Sequence, residues 1–188
     1  MDAEILAAVA AEEASMADLL GELVAAPTLL GDEAAGQAIM RRAFAELGFE
    51  PFDVPLDRAS LAGQPGAAPF SWDVAGKANV LANWEPAAPA DGRSLILNGH
   101  VDVVSPEPRA LWSGAPFEAR REGDWIYGRG AGDMKSGLAA IVGAVRGLSG
   151  SGWRRARGCS CSRSSRRSAR ATARSPACSP ATPPTPRS

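Results

Sequence analysis

Leu95-Ile96-Leu97-Asn98-Gly99-His100-Val101-Asp102 contains the only histidine of this 188-residue chain. Its first three residues form a short apolar run, which predicts a strand covered on both faces. His100 stands at the end of that strand, where open α/β sheets place their ligands. Asp102 follows two positions later. In extended backbone, residues i and i+2 point to the same side. Asp102 can therefore hold the proton on one ring nitrogen while the other nitrogen faces a metal, a pairing that fixes the tautomer and raises ligand basicity. Taken alone, a His-x-Asp pattern is more often a satisfied structural histidine.

A second stretch changes that balance. Gly128-Arg129-Gly130-Ala131-Gly132-Asp133-Met134-Lys135-Ser136-Gly137 is a glycine-rich turn opening into a helix. Glycines let the backbone bend tightly and approach a ligand. An aspartate there can direct both carboxylate oxygens into a cleft and bridge two cations. Metals roughly 3.5–4 Å apart then share the activation of water and the polarisation of a carbonyl. Two other readings compete: Asp133 as a cap of the following helix, and a phosphate-binding loop. The second is poor, because Met134 occupies the position where a phosphate loop needs glycine before its lysine.

Around these motifs the pattern mixes helices and strands. Residues 3–25 are Ala-rich, with Ile5, Leu6, Val9, Met16, Leu19, Leu20 and Leu23 near one helical stripe that ends before Pro27. A second helix is expected from Asp32 to Leu47, stopped by Gly48. Strands are expected at 49–54, 80–84, 94–98 and 125–127, and a last helix at 136–148. Residues 55–78, rich in Pro, Gly and Ala, form a long excursion of the kind that is usually functional or mobile. The order predicts an α/β layered domain with helices packed on a mostly parallel sheet.

With both motifs quoted, the chain resembles the acetylornithine deacetylase / succinyl-diaminopimelate desuccinylase family of zinc metallohydrolases. The match runs from Leu97 through Val104, then Trp112 and Pro116-Phe117, then Tyr127 to Gly137. It covers about residues 5–150 and is specific for the family, not for the substrate. The resemblance implies the N-terminal part of a zinc-peptidase-like catalytic domain that hydrolyses amides of N-acyl amino acids or small peptides. It implies His100 and Asp133 as metal ligands, Asp133 bridging two zincs (with cobalt as a substitute), and Asp102 as the catalytic residue orienting His100. It also implies a cis peptide after Asp133. The family pattern continues with a Glu-Glu pair, another acidic ligand, an inserted lid domain that often governs dimerisation, and a final histidine. No acid follows Asp133 and no second histidine exists. His100 and Asp133 thus supply at most two protein ligands to one zinc, whereas catalytic zinc normally takes three plus water. Weak or absent zinc binding and little hydrolysis are expected of the chain alone.

Charge divides the chain in the same place. All 21 acids lie in residues 1–150, which carry a net charge of −10; residues 151–188 hold nine Arg, no acid and all three cysteines, a net of +9. The first segment is read as the partial catalytic domain and the second as a disordered Arg/Ser/Pro-rich tail. The tail resembles a GC-rich gene translated out of frame. Residues 163–177, RSSRRSARATARSPA, can be regrouped one base earlier, with permitted codons, as QVVEEECTGNGALAC. That places an acidic cluster and spaced glycines where the family has them, and predicts a frame change between about Arg146 and Trp153. An alternative is a non-enzymatic protein whose basic tail binds nucleic acid electrostatically, although no aromatic beyond Trp153 supports stacking. A third is activity regained by assembly with a separate chain carrying the missing ligands. Cys159-x-Cys161 with Cys178 fits no zinc module. The acidic N-terminus and the lack of any apolar run of roughly 18 residues argue against a signal peptide and a membrane partner, leaving the cytoplasm as the expected location.

Overall fold

The computed structural model describes residues 2–62, 64–65, 72–84 and 94–150, together with the backbone of 159–163. Three helices begin the chain: α1 (Asp2–Ala10), α2 (Glu13–Ala25) and α3 (Ala34–Glu46). Then follow β1 (Phe52–Pro55), the short α4 (Arg58–Leu61), β2 (Ala78–Trp84) and β3 (Leu95–Gly99). After a 3₁₀ turn at Arg109–Leu111 come the hairpin strands β4 (Arg120–Glu122) and β5 (Trp125–Tyr127). A kinked turn over Ala131–Lys135 leads into α5 (Ser136–Gly150), and β6 (Cys159–Arg163) completes the described elements. The α/β class expected from sequence is the one observed.

The main sheet has the order β1-β2-β6-β3. Only β3 and β6 run parallel; β1 with β2 and β2 with β6 are antiparallel. The mostly parallel sheet expected from sequence is therefore a mixed one. Its physical origin is connectivity, since only the α5 crossover from β3 to β6 returns the chain in the same direction. Two further expectations change. β3 is an edge strand among the described residues, with Leu95 54% and Ile96 43% exposed, rather than covered on both faces. Part of the segment read as a disordered tail is β6, which fills the gap between β2 and β3. Both neighbours present backbone N–H and C=O groups there that need partners. The rest of the 151–188 assignment lies outside the described residues.

The core joins the helices to the sheet through Leu23, Val24, Met40, Phe44, Val80, Ala82, Val101, Leu138 and Val142. α5 crosses α1 and α2 closely because glycine stands at the crossings, Gly147 against α1 and Gly143 against α2. A Cβ at Gly143 would sit 2.2 Å from Met16 Sδ, and one at Gly147 would sit 3.0 Å from the backbone of Val9. Backbone cannot step aside as a side chain can. Gly147→Leu is expected to cost about 1–3 kcal/mol by overpacking, read as a lower urea midpoint. Gly150→Leu, with nothing within 4 Å of its Cβ position, is the control that should leave the midpoint close to the parent's.

Candidate metal centre

β3 ends at Gly99 and delivers His100 and Asp102 into buried positions, with side chains 10% and 8% exposed. A Cβ at Gly99 would lie 2.5 Å from Leu138 Cδ2, so glycine is what lets α5 lie against the end of this strand. The His100 ring is held on its Nδ1 side. Nδ1 lies 3.0 Å from the Asp102 main-chain carbonyl and 3.3 Å from Asp102 Oδ1. Both neighbours are acceptors, so Nδ1 carries the proton and donates it. In the neutral ring that leaves the Nε2 lone pair pointing outward.

Asp133 comes from the other motif. Gly130 adopts φ +80°, and Lys135 N donates to its carbonyl at 2.9 Å, closing the turn. Asp133 itself is extended (φ −130°, ψ 99°), and its peptide to Met134 is cis, as the family resemblance implies. Its carboxylate opens to solvent at 68% exposure, with Oδ1 3.3 Å from His100 Nε2. A lone pair and a carboxylate oxygen repel at that distance unless a positive charge lies between them, either a proton on the ring or a cation. Ligands about 2.0–2.1 Å from a tetrahedral zinc are roughly 3.3 Å apart, so this separation fits a shared metal ion. The donor set is short, however. Among the described residues no group of three or more His, Cys, Asp or Glu side chains is arranged to hold a metal.

The structure thus brings His100, Asp102 and Asp133 together from stretches about thirty residues apart in sequence. Residues 96–159 match the model for Peptidase family M20/M25/M40. Over that stretch the chain is similar to members of that family. A succinyl-diaminopimelate desuccinylase of Gluconacetobacter diazotrophicus is 34% identical over 140 residues, 74% of this chain and 31% of that protein. The one from Dinoroseobacter shibae is 51% identical over 73 residues, 39% of this chain and 19% of that protein. The chain therefore spans less than a third of the length of these relatives. Among solved structures, the di-peptidase Dug1p of Saccharomyces cerevisiae superposes with a TM-score of 0.67 at 16% identity, over 87% of this chain and 34% of that one. An M20 family metallo-carboxypeptidase of Sulfolobus solfataricus gives 0.58 at 22% identity, over 77% and 29%. These M20 relatives are amide-bond hydrolases by name, and the family is one of metal-dependent enzymes.

Two buried polar residues near the site were not singled out from the sequence. Thr28 and Lys135 are both fully buried. Thr28 Oγ1 donates to the Val101 carbonyl, and Lys135 Nζ donates to the Ala26 carbonyl at 2.8 Å. Nothing in their spacing marks them, because lysine and threonine ordinarily read as surface residues. The larger pockets, 820 and 680 Å³, lie along α3, β1 and β2 and include none of the three site residues. No helix among the described residues is long and apolar enough to cross a membrane.

Proposed function

We propose that this chain carries the first metal-binding half of a zinc-dependent amide hydrolase acting on an N-acyl amino acid or small peptide, and that alone it hydrolyses little or nothing. The observation that carries this reading is the 3.3 Å approach of His100 Nε2 to Asp133 Oδ1, with Nδ1 already committed to Asp102. In this reading His100, through Nε2, and Asp133, through its carboxylate, would hold the metal, and Asp102 keeps the imidazole in the Nδ1–H tautomer. A divalent metal held there would lower the pKa of its bound water and polarise a substrate carbonyl. The group that must take the water's proton is not among the residues after Asp133, where the sequence has no acid. The exposure of Asp133 leaves room for a substrate and for further ligands.

The same reading treats the residues beyond the α5 region as out-of-frame translation. The match to the family model runs to Cys159, past Gly150, which favours a break late in the expected interval or just beyond it. Cytoplasmic location is proposed with it. Equilibrium dialysis against zinc, followed by metal analysis, tests the core of the proposal. The expected result is zinc that is largely lost on dialysis and lost completely in His100→Ala; two tightly held zincs per chain would overturn it. The nucleic-acid alternative rests on the +9 charge of residues 151–188. It predicts salt-dependent retention on DNA that disappears when those residues are deleted.

A further inference from the structure

Both halves of the candidate metal centre are tied to one short loop, Ala26–Leu29, between α2 and α3. Towards His100 the ties come from Thr28 and Leu29. Thr28 Oγ1 donates to the Val101 carbonyl, the Thr28 carbonyl accepts from Val103 N at 2.9 Å, and Leu29 pairs with Val103 in an isolated parallel bridge. These bonds bracket Asp102 on both sides. Towards Asp133 the tie is Lys135, whose Nζ reaches back to the Ala26 carbonyl at 2.8 Å. Three residues of one loop, Ala26, Thr28 and Leu29, thus grip two segments that the sequence separates by about thirty positions.

The placement of Lys135 argues that the tie has a purpose beyond stability. Burying an ammonium group is costly even when it is hydrogen-bonded. Lys135 also lies just before α5, where the helix dipole disfavours positive charge. A methionine of similar length would fill the same space without either cost. Its hydrocarbon stem also supports the turn from beneath: a Cβ at Gly130 would be 3.3 Å from Lys135 Cδ. Thr28 is equally constrained, since a Cβ at Gly36 would lie 2.7 Å from its methyl group.

We propose that Thr28 and Lys135 are positioning residues that buckle the His100 and Asp133 segments to the Ala26–Leu29 loop and so set the separation of the two donors. This rests on the metal-centre reading above, because only a shared ion gives that separation a function. Thr28 acts through the Val101 carbonyl beside Asp102, and Lys135, two residues from Asp133, acts through the Ala26 carbonyl of the loop.

His100 is the chain's only histidine, so its ring signals report the site without assignment. The test is ¹⁵N long-range NMR of the ring in the full chain, for the parent, Lys135→Met, Thr28→Val and Thr28→Ser, before and after zinc addition. In the zinc-free proteins, Lys135→Met and Thr28→Val are expected to shift or broaden the His100 ring signals while far-UV circular dichroism is retained. Thr28→Ser, which keeps the hydroxyl, should resemble the parent. With zinc, affinity should fall about 10- to 100-fold in the first two variants, as for other residues that orient metal ligands. Unchanged zinc-free ring signals in both Lys135→Met and Thr28→Val would overturn the buckle, whatever zinc does. A parent whose ring signals ignore zinc would instead overturn the metal reading, and the zinc-free comparison would still decide the buckle. If Lys135→Met does not fold, the Thr28 pair decides it.

Discussion

Gly130→Ala is expected to destabilise the described domain by about 2–4 kcal/mol and to displace Asp133 from His100. Gly130 sits at φ +80°, a conformation that costs a residue with a Cβ about 1 kcal/mol relative to glycine. The added Cβ would also lie 2.4 Å from Val103 Cγ1 and 3.3 Å from Lys135 Cδ. Overpacking of that kind typically costs about 1–3 kcal/mol. Neither neighbour yields easily: Val103 is 4% exposed and held by Thr28, and Lys135 is fully buried and held by Ala26. The strain would therefore fall on the turn that carries Asp133. Urea unfolding checks the energy and the His100 ring spectrum checks the displacement. Gly132→Ala is the matched control, because its φ is not positive and nothing lies within 4 Å of its Cβ position. Equal midpoints for the two variants would sink the argument.

The contrast between those neighbouring glycines shows what the sequence could and could not convey. The motifs containing His100, Asp102 and Asp133 were readable because each couples a rare residue type to a strand end or a glycine-rich turn. The helix at Ala34–Glu46 and the strands at Ala78–Trp84 and Leu95–Gly99 were readable from period and punctuation. The break between α1 and α2 was not, because Ala11 and Glu12 are good helix formers. It arises from packing, as Val9 and Met16 meet α5 at separate glycines. β4 was missed for a different reason. Arg120-Arg121-Glu122 has no strand propensity, and it pairs with β5 because Gly123, at φ +58°, turns the chain back. Thr28 and Lys135 were invisible because their roles depend on main-chain carbonyls far away in sequence. β6 was hidden by its own composition.

That composition leads to the largest effect expected under the proposed function: a gene read one base earlier beyond α5 should yield a chain that retains zinc and hydrolyses N-acyl amino acids, with little or no hydrolysis expected of the 188-residue chain. The sheet supplies the physical reason. β6 lies between β2 and β3, with a ladder on each side. Interior strands of an α/β sheet read as apolar runs, yet residues 159–163 are CSCSR. One base earlier, permitted codons allow leucine at each of the first four of these positions, followed directly by the regrouped QVVEEE. An apolar strand leading into acids is what an interior strand entering a metal site requires. The parallel register pairs Arg163 with Gly99, the residue before His100. In the restored frame the acids would thus follow the strand end that adjoins the candidate centre, where a general base and a third ligand are needed. Codon freedom permits other readings, so the DNA must decide. Sequencing across codons 140 to 190 should reveal a one-base discrepancy, and expression of the corrected gene should give zinc retention after dialysis and measurable turnover. An intact frame whose neighbour encodes neither the apolar strand nor the acids would end the proposal. In that case CSCSR is the native sequence of an interior strand, and the exposed apolar edge at Leu95 and Ile96 is the surface through which a separate chain would have to complete the site.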